Sequence, residues 1–85
     1  MKRVLKFYSE TCSPCKLMGK RLAEIENIEV QNINIEDDDS IELMEKWNIK
    51  SIPTIIILSK DDELIARFNG IVSTDELKKV IDGGE

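Results

Sequence analysis

Phe7-Tyr8-Ser9-Glu10-Thr11-Cys12-Ser13-Pro14-Cys15-Lys16 holds the only two cysteines of this 85-residue chain. The segment running into it, Val4-Leu5-Lys6-Phe7-Tyr8, is rich in branched and aromatic residues and reads as a strand. A helical pattern runs out of it. Leu17, Met18, Leu22 and Ile25 recur at helical spacing and give that helix one buried face. Between the two, Ser9 to Cys12 reads as a loop. Ser13 is expected at the N-cap and Pro14 at the first helical position, where a missing N–H is no loss. Asn27 is expected to close the helix. Gly19 lies inside it and costs about 1 kcal/mol relative to alanine. Two cysteines so spaced, between a strand and a helix, read as a dithiol–disulfide redox site.

Composition limits what such a site can belong to. A chain of 85 residues has room for one domain, 1–85, with a modest core. Hydrophobic residues are 41% and charged residues 34%, a globular balance. The net charge of -5 argues against nucleic acid as a partner, because phosphates call for a basic patch. No run approaches the roughly 18 apolar residues needed to span a bilayer. Lys2 and Arg3 are followed by an apolar run that Lys6 breaks at once, so no signal-peptide core is seen. The expectation is a cytoplasmic protein with neither nucleic acid nor membrane as partner. In that compartment paired cysteines are more often catalytic or metal-binding than structural. A structural zinc site needs four ligands, and the chain has no histidine and no third cysteine. One chain therefore cannot close it; a cluster bridged between two chains stays open as an alternative.

The rest of the chain supplies alternating elements. Val30 to Ile35 reads as a second strand, with Ile33 and Ile35 on one face. The acid run Glu36-Asp37-Asp38-Asp39 reads as a solvated loop and helix N-terminus, where acids are favourable. Asp39 or Ser40 can cap a second helix whose buried stripe is Ile41, Met44 and Trp47, with Asn48 as its stop. Ile49 to Pro53 is a loop. Thr54-Ile55-Ile56-Ile57-Leu58 has the pattern of a strand buried on both faces. After a turn at Lys60-Asp61-Asp62, Leu64, Ala66 and Phe68 alternate with Ile65, Arg67 and Asn69, as in a half-exposed hairpin strand. Gly70 breaks it. Ser73-Thr74-Asp75-Glu76 has capping-box spacing, Leu77, Val80 and Ile81 give the last helix an apolar face, and Gly83-Gly84 ends it. The predicted fold is α/β, in the order β-α-β-α-β-β-α. A mixed four-stranded sheet would carry helices on both faces, its first two strands parallel with a right-handed crossover.

With these residues in view, the chain resembles the thioredoxin-like superfamily over almost its whole length. The resemblance rests on the strand entering Cys12-Ser13-Pro14-Cys15, on Ile52-Pro53-Thr54 before a strand, on Gly70 after the last strand, and on the element order. Phe7 to Lys16 is similar to the thioredoxin pattern Phe-Trp-Ala-x-Trp-Cys-Gly-Pro-Cys-Lys, while the length is that of a glutaredoxin. Thr11 stands where thioredoxins usually have tryptophan, and Ser13 where they have glycine. Lys6 takes the place of a buried aspartate, Asn32 that of its lysine partner, and Lys20 that of a helix-kinking proline.

The resemblance implies a protein disulfide oxidoreductase of monomeric form. It would act on disulfide-containing protein substrates, take electrons from a thioredoxin-reductase-type donor and need no bound cofactor. The helix N-terminus favours a thiolate at Cys12, which would be the nucleophile, with Cys15 resolving the mixed disulfide. Ser13 and Pro14 would support the site. Pro53 would be cis and face the sulfurs, leaving the Ile52 backbone free to pair with a substrate strand. Gly70 would let a partner backbone approach, and Trp47, Ile49, Ile52, Ile71 and Val72 would form an apolar rim. Lys6 shares a strand face with Val4 and Tyr8. Buried, it could exchange a proton with Cys15; with its stem snorkelling, it would tune the field in favour of thiolates. Two alternatives are a glutathione-dependent glutaredoxin-like protein and a non-catalytic binding or cluster-carrier module. Against the first, glutaredoxins carry Cys-Pro-x-Cys and a Gly-Gly pair after the last strand, whereas here the proline is third and only Gly70 is present.

Overall fold

The branched, apolar strands condense into one sheet. In the computed structural model, which describes residues 1–83, β1 (Lys2–Tyr8), β2 (Ile28–Asn34), β3 (Thr54–Leu58) and β4 (Leu64–Asn69) lie in the order β2-β1-β3-β4. β1 and β2 are parallel, and the β1–β3 and β3–β4 pairs are antiparallel. The sheet is mixed and four-stranded, as predicted. β3 is buried at every residue, which its unbroken β-branched run requires.

Strand alternation sorts the core into two layers. Val4, Ile55 and Ile57 face α1 (Ser13–Ala23) and α3 (Thr74–Gly83) through Met18, Leu22, Leu77 and Ile81. Leu5, Phe7, Ile56 and Leu58 face the other way. They meet Leu43, Met44 and Trp47 of the segment around α2 (Ile41–Lys46). Helices therefore cover both faces.

Several local expectations are corrected. Cys12, not Ser13, is the N-cap of α1, because its sulfur accepts the Cys15 N–H at 3.2 Å. α1 ends at Ala23 with Glu24 as cap, and Asn27 instead takes φ 66° in the turn before β2. A 3-10 turn, Asp38–Ser40, precedes α2. Ser40 donates its hydroxyl to the Asn34 carbonyl at 2.7 Å and does not cap the helix with its side chain. That anchor sets the phase of α2 so that Leu43 joins Met44 and Trp47 on the sheet, while Ile41 is 51% exposed. In β4 the register slips between Ile57 and Leu58, pairing Leu58 with Leu64 and Ile57 with Ala66. The extra residue, Ile65, packs with Ala66 and Phe68, and Leu64 turns out to solvent.

Other local expectations are met. Asn48 ends α2 at φ 52°, a left-handed stop. Ser73 Oγ accepts the Glu76 N–H at 3.1 Å, which is the capping bond its spacing predicted. Gly83 is the last residue of α3, and Gly84 lies outside the described residues.

Candidate active site

The β1–β3 and β3–β4 pairings bring the predicted site to one end of the sheet. Phe7 pairs with Thr54 and Thr54 with Asn69, so Tyr8, Pro53 and Gly70 lie at the same level. The loop to Cys12 leaves β1 at that end. Ser9, itself buried, accepts the Cys12 N–H through its carbonyl at 3.3 Å and fixes where the loop delivers the cysteine.

Cys12 and Cys15 form a disulfide with their Cα atoms 5.2 Å apart. Their environments differ. Cys15 is 1% exposed and belongs to the buried face of α1, whereas Cys12 is part-exposed at its N-cap. The first helical N–H groups have no partner within the helix, and the helix dipole adds partial positive charge there. The bond from the Cys15 N–H to Cys12 Sγ is one such group already aimed at sulfur. An anionic sulfur at Cys12 would meet donors on one side and solvent on the other. Ser13 and Pro14 are exposed in the first turn of α1, beside the sulfurs and outside the core.

Pro53 is fully buried and follows a cis Ile52–Pro53 peptide. The Thr54 hydroxyl donates to the Ser51 carbonyl at 2.7 Å and ties this turn to the start of β3. Gly70, at φ 96°, donates its N–H to the Pro53 carbonyl at 2.8 Å. A side chain there would find open space but a backbone angle that L-residues rarely adopt. Among the described residues the Ile52 N–H and C=O take no part in backbone bonding. Ile71, next to Gly70, is 55% exposed.

Trp47 is not brought to this end. Its indole lines a cleft with Arg3, Leu5, Leu43, Leu58 and Asp62, near the start of β1. The strand rise of about 3.3 Å per residue puts Arg3 well away from Tyr8, and Trp47 packs on the layer of Leu5, Phe7, Ile56 and Leu58 together with Ile49 and Ile52. The physical cause is the α2 phase described above.

Lys6 is half-buried between β1 and α1. Burial pushes its amine down from the ordinary 10.5. Its Nζ stands 5.3 Å from the centroid of the Tyr8 ring, and a Cβ on Gly19 would come within 2.8 Å of it. Nothing in the residue pattern assigns a site role to Gly19, Ser9 or Arg21. Arg21 donates to the Val72 carbonyl at 2.8 Å and, with Met18 Sδ accepting the Val72 N–H at 3.4 Å, ties the loop after Gly70 to α1. A glycine in a helix interior was the one available signal, since its cost asks for a close neighbour.

A strand, a two-cysteine turn capping a helix, and a buried proline turn at the same sheet end define a thioredoxin-fold protein with a dithiol–disulfide site. A model of the Thioredoxin family matches residues 1–83, and the chain belongs to that family. Thioredoxin C-3 of Corynebacterium nephridii is 31% identical over 81 residues, 93% of this chain and 55% of that protein. Thioredoxin of Mycoplasmoides gallisepticum is 28% identical over 82 residues, 94% of this chain and 81% of the relative. Among solved structures, a thioredoxin-2 described as a component of malaria parasite protein secretion machinery superposes with a TM-score of 0.79. It shares 27% identity and covers 98% of this chain and 82% of its own. The chain spans about half the length of the first curated relatives it matches.

Proposed function

We propose that this chain is a thiol-disulfide oxidoreductase that reduces disulfides in protein substrates. The observation that carries this reading is the asymmetry of the pair: an accessible sulfur on the N-cap of α1, bonded by the Cys15 N–H, over a buried partner. The Cys12 thiolate attacks one sulfur of the substrate disulfide. That S–S bond breaks, a mixed disulfide forms, and the other substrate sulfur leaves as a thiolate and takes a proton from water. Cys15 gives its proton to water and attacks Cys12 Sγ. The intramolecular disulfide forms, and the second substrate sulfur leaves and is protonated. Two electrons pass to the substrate, and a thioredoxin-reductase-type donor returns them. The chemistry needs no bound cofactor.

Substrate would lie across the Pro53 turn, with the unbonded Ile52 backbone pairing to an extended segment and Gly70 and Ile71 beside it. Action as a monomer, cytoplasmic residence and a part in electron transport and cell redox homeostasis belong to the same proposal. A cysteine pair used catalytically suits a reducing compartment.

Insulin reduction driven by dithiothreitol tests it. Wild type accelerates precipitation of the insulin chains, and Cys12→Ser abolishes the acceleration. Limiting iodoacetamide on the reduced protein labels Cys12. Activity retained in Cys12→Ser, or labelling of Cys15 first, overturns the assignment of roles. Visible absorption from an iron–sulfur cluster in the purified protein would favour the cluster-carrier alternative.

A further inference from the structure

Lys6 is a cation without an anion. Among the described residues no carboxylate lies within ion-pairing distance of it, and its amine makes no hydrogen bond. Among the described residues, the one charged or aromatic group the amine meets is the face of Tyr8. On one side it lines a cleft of ≈190 Å³ whose other residues, Gly19, Leu22, Ala23, Val30 and Asn32, carry no charge. On the other side it lines a solvent-open cleft of ≈160 Å³ with Tyr8, Ser9, Glu10, Cys15 and Lys16. Cys15 and Gly19 are four residues apart on α1, and so stand one above the other on the same helix face. An amine lying against Gly19 is therefore held about one helical turn from Cys15. The one anion that disulfide chemistry creates in the buried part of that cleft is the Cys15 thiolate.

We propose that Lys6 is a positioning residue whose ammonium is the counter-charge for the Cys15 thiolate, and that Gly19 is the niche that keeps it there. This deepens the oxidoreductase reading and rests on it. The half-buried geometry suits a field role. Lys6 lines two clefts open to water, so the Cys15 proton has water to go to, and Lys6 need only stabilise the anion left behind. That anion attacks Cys12 Sγ, forming the Cys12–Cys15 bond as the Cys12–substrate bond breaks. Glu10 opposes this effect and Lys16 reinforces it. Both are exposed and screened by solvent, while Lys6 is not fully so. A stabilised thiolate stabilises the reduced protein, which makes the pair a weaker reductant than it would be without the charge.

The test isolates Cys15 as the single thiol in a Cys12→Ser background and follows thiolate absorbance near 240 nm against pH. Adding Lys6→Met or Lys6→Gln is expected to cut the thiolate-to-thiol ratio about tenfold at a given pH, the effect of losing one nearby opposite charge. Gly19→Ala should move it the same way while raising the melting temperature, because its Cβ displaces the amine in a helix that gains from alanine. Combined with Lys6→Met, Gly19→Ala should add no further titration shift. In the two-cysteine protein, Lys6→Met should lower the reduction potential measured against glutathione. A Cys15 titration unchanged in both Lys6 variants overturns the proposal, as does a loss of turnover without any titration shift, which would make Lys6 a proton carrier. The titration needs no turnover. An inactive wild type with the shift present would sink the oxidoreductase reading and leave the Lys6–Cys15 pairing standing.

Discussion

At the scale of single residues, one helix terminus treats two identical thiols differently. Cys12 projects at the N-cap towards solvent, and Cys15, one turn on, enters the core between α1 and the sheet. Chemistry follows from that difference in access and donors. Lys6 carries a separate consequence for stability. Its amine titrates below 10.5 because burial disfavours the ammonium. The cost of burying that charge is fully present below the lowered folded value, is relieved between it and 10.5, and is absent above. Stability of the oxidised protein, in which no thiol titrates, should therefore rise with pH in that alkaline window. Lys6→Met lacks the increment, so the difference in unfolding free energy between wild type and variant should grow in favour of wild type as pH approaches 10.5. Urea unfolding at a series of pH values measures this, and a difference independent of pH would contradict it. Gly70→Ala should lose roughly 1 kcal/mol, read by the same method, since its φ of 96° disfavours a side chain even though the space is open.

At the scale of elements, what the sequence disclosed and what it hid divide by the range of the interaction. The Ser73 cap, the Asn48 stop and the all-buried β3 are set by residues within a turn or two of one another, and they appear where predicted. Ser73→Ala should accordingly cost about 1 kcal/mol of stability, and a change much below 0.5 would mean the cap is replaced by water. The misplaced features answer to how each segment is tied to its neighbours in the fold. Ile41 is exposed because Ser40 is anchored to Asn34. Leu64 is exposed because β3 accepts a bulge at Ile65. The cap of α1 moved from Ser13 to Cys12 because sulfur, a poor cap in propensity tables, is aimed at the Cys15 N–H by the loop from Ser9. Trp47 fits a helical stripe equally well as rim or packing, and only the docking of α2 chooses.

At the scale of the molecule, two thin core layers hold one sheet, and the site sits where that sheet ends. A domain this small has little stability to spare. Leu77, fully buried between α3 and the sheet, should cost about 2–5 kcal/mol when replaced by alanine. Loss of cooperative unfolding in that variant is the expected outcome, and a melting curve like wild type would show the α3 layer to be dispensable. The whole molecule also sets the potential of the pair, through helix, Lys6 and burial together. A value near about -270 mV would mark a reductase and one near about -120 mV an oxidant.

Family resemblance pointed to Pro53 and Gly70 as site residues, while the residue pattern disclosed the cysteine pair between strand and helix, the order of elements, and the parallel and hairpin pairings. These depend on periodicity, caps and spacing, which are local. Packing alone settled where Trp47 sits and that Gly19 makes room for the Lys6 amine. Each of those depends on how an element is rotated and seated against the sheet. That is settled by packing among residues far apart in the chain, which no local pattern encodes.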